Sequence, residues 1–407
     1  MTGIIHRFNR RYVLQAVLIL LLAGSPLADP ARSQNAATSG LQDRIEGLLI
    51  GSAIGDAAGG PFEFQPPAYL TPYDRTAPLD STSIRELADR FTLSEYVLVD
   101  QAAPYGPWLN RAPAGTVTDD TRFKLLFMRS LSMSSETEGA CMPGAEAFAE
   151  ELLRWHGDAD GPFGDLPQMW LDEFAPSARW ILGDRDPDLT APPERQWGGI
   201  PTMAGQMPFL PVAGLYPGAP EQAYRAVWNV NFLDNGWGRD VTASLIGGLS
   251  HAIIPGATWV SVENAMRATD PFGFGRVPWV ERRLERWLDE AHAIAREAEG
   301  RPSVLYDLLE ARLGAETWWE AHVPLVVVFA AAATARYDPL ATMQLILEFG
   351  HDTDSYLQLA GAMFGALHGT DIFPPAMRTA VAHRLQEDFG ESVGEWAERL
   401  TSCALRR

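Results

Sequence analysis

Gly350-His351-Asp352-Thr353-Asp354-Ser355 runs without a break into Tyr356-Leu357-Gln358-Leu359-Ala360-Gly361-Ala362-Met363-Phe364-Gly365-Ala366-Leu367. The second part is apolar and rich in Ala and Gly, so it reads as a buried helix, and the first part as the loop that turns into it. One short polar side chain is enough to accept the first free N–H groups of a helix, and Asp354 or Ser355 supplies it. Asp352 is surplus. Two carboxylates one residue apart at a buried helix start are costly unless something cationic accompanies them, which leaves two readings open: an over-decorated N-cap and a metal site.

The same design occurs far upstream. Gly115-Thr116-Val117-Thr118-Asp119-Asp120-Thr121 precedes Phe123, Leu125, Leu126, Met128 and Leu131, which fall on a helical period. Adjacent acids between two threonines again exceed what capping needs. Nearer the N-terminus, Leu41, Ile45, Leu48, Leu49 and Ala53 recur at helical spacing, while Gly51, Ala53, Gly55, Ala57 and Ala58 keep one face small enough for another helix to approach closely. That run stops at Gly59-Gly60-Pro61, and Glu63 follows between Phe62 and Phe64 in a turn; taken alone, it reads as a solvated loop carboxylate.

Helical periodicity continues through most of the chain, and alternation of period two is scarce. Helices are expected over 220–230, 240–253, 279–298 with Trp279 and Val280 on or near the apolar face, 323–335 and 340–349. The fold class is therefore all-α. Long loops are expected at 65–117 and 157–202, and loops of that length in compact proteins are often functional. Gly157-Asp158-Ala159-Asp160-Gly161-Pro162 lacks the third spaced ligand and the closing Glu of a calcium loop. There is no phosphate-binding P-loop, and no strand before Phe272-Gly273-Phe274-Gly275 to make a dinucleotide site.

The chain has 407 residues and 46% hydrophobic residues, ordinary for a folded protein. Its formal charge of −20 argues against nucleic acid or an anionic membrane surface as the main partner. Residues 1–37 read as a signal peptide and leader and 38–407 as a single domain. Arg7, Arg10 and Arg11 precede an apolar stretch from Val13 to Ala23 that is short for a membrane span, and Asn9-Arg10-Arg11-Tyr12-Val13-Leu14-Gln15 resembles a twin-arginine signal. Export to the periplasm, with no stable span in the mature chain, is the expectation. Residues 29–39 are expected to form a mobile leader, with folding starting at about Leu41. Cys141 and Cys403, the two cysteines, are read as free or incidental, although a pair stays open in an exported chain.

If Glu63, Asp119, Asp120, Asp352 and Asp354 converge, five carboxylates with Thr118 and Ser355 make an oxygen-only cage that suits two hard divalent cations and suits zinc poorly. Gly51-Ser52-Ala53-Ile54-Gly55-Asp56-Ala57-Ala58-Gly59-Gly60-Pro61-Phe62-Glu63, Thr118-Asp119-Asp120-Thr121 and Gly350-His351-Asp352-Thr353-Asp354-Ser355, in this order, resemble the three signature segments of the ADP-ribosylglycohydrolase family. That family contains ADP-ribosyl-arginine and ADP-ribosyl-serine hydrolases as well as the J-crystallins. The resemblance implies a compact all-α fold that holds two Mg²⁺ or Mn²⁺ ions in a cleft and hydrolyses the N- or O-glycosidic bond at the anomeric carbon of an ADP-ribosyl or related ribosyl group, free or protein-linked. By position it makes Thr118, Asp119, Asp120, Asp352, Asp354 and Ser355 the metal ligands, and Glu63 and Asp120 the catalytic carboxylates. Gly115, Gly205, Gln206 and His351 are the substrate-binding candidates. Two departures stand out: His351 follows Gly350 where the family commonly has a second glycine, and Gly198–Phe209 occupies the place of a Gly-rich diphosphate segment without its arginine. A non-catalytic binding or structural relative and a two-metal phosphoesterase are the rival readings.

Overall fold

The computed structural model describes residues 30–67, 73–101, 112–138, 141–158, 161, 163, 169–276 and 278–407. Among them the regular structure is helical, and the only extended pairings are the isolated bridges Gln65–His351, Gln101–Ala112 and Thr202–Glu320. The all-α expectation holds. Leaving single turns unnumbered, the helices are α1 (Pro30–Gly59), α2 (Ser81–Thr92), α3 (Asp119–Glu138), α4 (Ala145–Trp155), α5 (Met169–Ile181), α6 (Pro220–Val230), α7 (Gly236–Ala252) and α8 (Trp259–Ala268). They continue as α9 (Arg283–Ala298), α10 (Pro302–Arg312), α11 (His322–Thr334), α12 (Pro339–Phe349), α13 (Thr353–His368), α14 (Pro375–Phe389) and α15 (Val393–Leu405). The expected signal segment lies outside the described residues.

Residues Met1–Gly40 and Leu41–Arg407 form two units, and the site described below lies within the second. Two helices at its centre touch backbone to backbone. A Cβ at Gly47 would strike the Gly365 carbonyl, one at Gly51 the Gly361 carbonyl, one at Gly55 the Leu357 carbonyl, and one at Gly59 the backbone of Asp354. The partner number falls as the α1 number rises by one turn, so α1 and α13 run antiparallel along a seam with no side chains between them. This is the small face visible in the sequence. Because the seam is antiparallel, the C-terminal end of α1 lies against the N-terminal end of α13, and Glu63 arrives beside Asp354.

Two further devices fix the crossing. Phe64 donates its N–H to the His351 carbonyl (2.6 Å) and His351 donates to the Gln65 carbonyl (2.7 Å), tying the turn after α1 to the loop before α13. Asp56, buried in α1, accepts from the N–H of Thr118 and of Thr121 (3.0 Å each) and from the Thr118 hydroxyl. The first turn of α3 is thus capped by a carboxylate from a different helix, which stands where a local N-cap side chain normally would. Around these, α11 is buried along almost its whole length, in keeping with its run of Val and Ala.

Several expectations are corrected. Helix α1 begins at Pro30, within the segment expected to be a mobile leader. The stretch 65–117 contains α2, whose N-cap Asp80 accepts from the N–H of Thr82 and Ser83 (2.9 Å each) and whose Leu87 and Phe91 are buried. The stretch 157–202 contains α5, with Pro176 inside it. Trp279 and Val280 are 83% and 56% exposed and precede α9, because Arg282 is drawn inward by Asp240 (2.7 and 2.9 Å) and holds the chain extended up to the helix start. Cys141 and Cys403 are neither free nor incidental: they form a disulfide with Cα atoms 5.5 Å apart, across 262 residues.

The seam makes a sharp prediction. Replacing Gly361 with Ala pushes a methyl into the Gly51 carbonyl and should cost more than about 2 kcal/mol, whereas Ala at Gly40, where nothing lies within 4 Å, should be neutral or stabilise slightly. Thermal or urea unfolding of the two variants decides it, and equal stability would contradict the close approach.

Candidate functional site

Three helix ends meet: the turn after α1 with Glu63, the first turn of α3 with Thr118, Asp119 and Asp120, and the first turn of α13 with Asp352, Asp354 and Ser355. Ligand oxygens of Glu63, Asp352 and Asp354 lie within 4.8 Å of one another, and so do those of Asp119, Asp120 and Asp354. Asp354 belongs to both sets and joins them. All five carboxylates are buried.

Their partners differ. Asp120 is gripped on both oxygens, Oδ2 by the Ser355 hydroxyl (2.8 Å) and Oδ1 by the Gln358 amide. One turn deeper, Lys124 donates to the Asp120 carbonyl (3.0 Å) and to Gln358 Oε1, so a buried ammonium underlies the acidic floor. Burial pulls the Lys124 value down while Asp120 and Asp56 hold it up. Asp354 Oδ1 is buried with no hydrogen-bond partner among the described residues.

The electrostatics follow from this crowding. Burial first, and Asp56 second, push Asp119 up to about 7; burial, with Asp119 behind it, pushes Asp352 up to about 7. Asp120 is raised by burial and Asp119, and Asp354 by burial, Glu63 and Asp120. Carboxylates so placed stay ionised at neutral pH only if cations join them. An oxygen-only donor set at two neighbouring positions, with an orphaned oxygen on the shared Asp354, fits hard divalent ions such as Mg²⁺ or Mn²⁺. Thr118 takes a different part in this state: its hydroxyl donates to Asp56, and the N–H of Asp120 reaches that same hydroxyl oxygen at 3.3 Å.

The acidic residues share a pocket with a group of aromatic ones. Glu63, Asp119, Asp120, Asp352 and Ser355 line it, together with Phe64, Trp170, Phe174, Trp197 and Trp319 and with Thr202, Met203, Ala204 and Met207. The rings are in contact, with centroids 5.1 Å apart for Trp170–Trp197, 6.4 Å for Trp197–Trp319 and 5.9 Å for Phe64–Trp319. Phe64, Trp197 and His351 all have positive φ (59°, 51° and 60°), a conformation that costs a bulky residue about 1–3 kcal/mol and persists where surroundings impose it. Glu173 on α5 holds the Trp197 turn by accepting its N–H (2.8 Å).

The four substrate-binding candidates sit around this pocket and not on its described lining. Gly115 (φ +79°) backs onto the Ala380 carbonyl of α14. Gly205 donates its N–H to Asp234 (2.7 Å) and Gln206 its amide to the Ala321 carbonyl (3.0 Å), so their neighbours Thr202, Met203, Ala204 and Met207 face the pocket instead. The His351 ring stacks on Trp318 (3.6 Å, 15°) and bonds Glu310, so it packs, while its backbone anchors Phe64. Sequence reading gave no role to Asp56, Lys124, Gln358 or the aromatic wall. For Asp56 and Lys124 the signal was present: a charge on a face otherwise made of apolar positions needs a partner.

With this geometry in hand, comparison with known proteins is informative. The family model described as ADP-ribosylglycohydrolase matches residues 37–406. Among solved structures, one titled "ADP-ribosylglycohydrolase-related protein complex" superposes with a TM-score of 0.53 at 16% identity, covering 90% of this chain and 99% of that one, a likeness of fold. No curated protein matches.

The raised carboxylates set a pH dependence for the ion-free protein. Folded values above the unfolded ones mean that the folded state holds protons more tightly, so stability falls as pH rises from about 4 through about 7. Thermal midpoints measured in chelator between about pH 5 and about pH 8 should fall with pH in the wild type and flatten in Asp119→Asn and Asp352→Asn. Equal slopes in all three proteins would refute the assignment.

Proposed function

The chain belongs to the ADP-ribosylglycohydrolase family, and on that premise we propose that it is a metal-dependent glycoside hydrolase acting at the anomeric carbon of a ribosyl group. The observation that carries the reading is the convergence of five buried carboxylates from three helix ends, with Asp354 common to both sets and one of its oxygens without a hydrogen-bond partner among the described residues. Unused like charges at this density would be strongly destabilising, which argues against a purely structural role.

Thr118, Asp119, Asp120, Asp352, Asp354 and Ser355 would hold two Mg²⁺ or Mn²⁺ ions. Such ions, when bound, orient sugar hydroxyls and lower the pKa of a water. The chain's own groups do the rest. Asp120, fixed by Ser355 and Gln358, is built to keep its position. Glu63 lies on the pocket wall at the end of the seam and suits proton movement: it takes the proton of the attacking water. The surrounding carboxylates offset the positive charge that develops on the sugar ring as the bond to the leaving group breaks. Ribose hydroxyls face the acidic floor, and the apolar wall excludes water from the other side.

Export is part of the proposal. The N-terminal sequence supports it, and so does the disulfide, a bond that persists in oxidising compartments. No described helix is long and apolar enough to cross a membrane.

The test is direct. Asp120→Ala and Asp352→Ala should abolish Mg²⁺ and Mn²⁺ binding in calorimetry with the helical circular dichroism retained. Glu63→Gln should keep ion binding and lose on the order of 10²-fold or more in turnover of an N- or O-linked ribosyl substrate. Wild-type protein that releases phosphate from a phosphodiester and no sugar from any glycoside would replace this reading with a two-metal phosphoesterase.

A further inference from the structure

Aromatic rings and buried carboxylates line the same pocket, and its chemistry is not that of a diphosphate site. Among the described lining residues there is no Lys, Arg or His. If two divalent ions fill the floor, five carboxylates still leave it one negative charge. The rings of Trp170, Trp197 and Trp319 add the negative faces of their π-systems. Such a pocket attracts a cation and repels an anion.

The wall also shows signs of being set in place for a ligand. Trp197 is held in a left-handed conformation by Glu173 from α5, and Phe64 is held in another by the bridge to His351. Trp319 is fixed by its carbonyl, which accepts the N–H of Met203 (3.0 Å). Three separate segments thus converge to present adjoining rings, where a simple apolar wall would tolerate aliphatic side chains.

We propose that this wall is the leaving-group subsite and that it takes a planar aromatic cation of the pyridinium type, joined through its ring nitrogen to the ribose. The inference rests on the glycosidase reading of the floor and names its substrate class. Ring faces stack on such a cation; a guanidinium can stack too, but its N–H fork also asks for a carboxylate, and the carboxylates of the described lining are the ones assigned to the ions and to Glu63. The chemistry balances without an acid on the wall. The bond from C1′ to the ring nitrogen breaks, its electron pair goes to that nitrogen, and the aglycone leaves as a neutral base. The water oxygen bonds to C1′ and its proton passes to Glu63.

Binding and turnover test the two layers separately. Indole fluorescence titrations should show 1-methylnicotinamide cation binding on the order of tenfold more tightly than neutral nicotinamide and than methylguanidinium. Trp197→Leu and Trp319→Leu, each checked for an unchanged thermal midpoint, should lose that preference, and either variant alone suffices if the other fails to fold. Neutral nicotinamide or methylguanidinium binding as tightly as the pyridinium, or a preference surviving in a folded variant, overturns the subsite. Turnover then compares ribosyl nicotinamide, its ADP-bearing counterpart and a neutral purine riboside. Cleavage of the ribosyl pyridinium ahead of the neutral riboside supports the substrate class, and the reverse order overturns it. No cleavage of any glycoside, with the cation preference intact, fails the glycosidase reading and leaves the cation subsite standing.

Discussion

The contact between α1 and α13 is the constraint on which the site depends. Four successive turns of α1 present glycine to α13, and with no side chains between them the two backbones fix each other's axial position as well as their distance. An ordinary apolar interface with interdigitating side chains sits 8–10 Å apart and tolerates adjustment when one residue changes. A seam of carbonyls against α-carbons does not. Because the helices run in opposite directions, this fixed register delivers Glu63 to Asp354, although the two are separated by most of the chain.

That rigidity has an electrostatic use. Five carboxylates would relax apart if the elements carrying them could slide, and the energy of their repulsion would be lost as small movements. Held by the seam, by the Phe64–His351–Gln65 bridge and by Asp56, they stay buried together, and that burial, with neighbouring negative charge behind it, appears as raised proton affinity. The same arrangement gives a hard cation a set of oxygens already in place, so little conformational freedom is lost on binding. Lys124 and Gln358 complete the design from beneath by satisfying the Asp120 main chain and side chain.

Much of this was legible in the sequence. The small face of α1, the surplus acids at two helix starts and the Ala/Gly-rich α13 point to a close helix pair and to acids that gather at its end, and Asp352 stands out because one acid is enough for a cap. What stayed hidden has physical reasons. Helix α2 lies in a Pro- and Asp-rich stretch where only Ile84, Leu87, Ala88 and Phe91 keep the helical period, and α5 contains Pro176, which normally marks an end. Trp170, Trp197 and Trp319 come from three segments with no common spacing, so nothing local announces that they form one surface. The disulfide joins residues 262 apart, and two cysteines at that distance carry no pairing signal of their own. Asp56 shows in the sequence as a charge among small and apolar positions that needs a partner, but which group it pairs with, the first turn of α3, depends on the tertiary fold.

Asp56 has a consequence for how the centre tolerates change. Its carboxylate grips the start of α3 through protein hydrogen bonds alone, so the turn that carries Thr118, Asp119 and Asp120 is held by the fold itself. A substitution at Asp56 would therefore be felt at all three of those residues, although none of them had been altered.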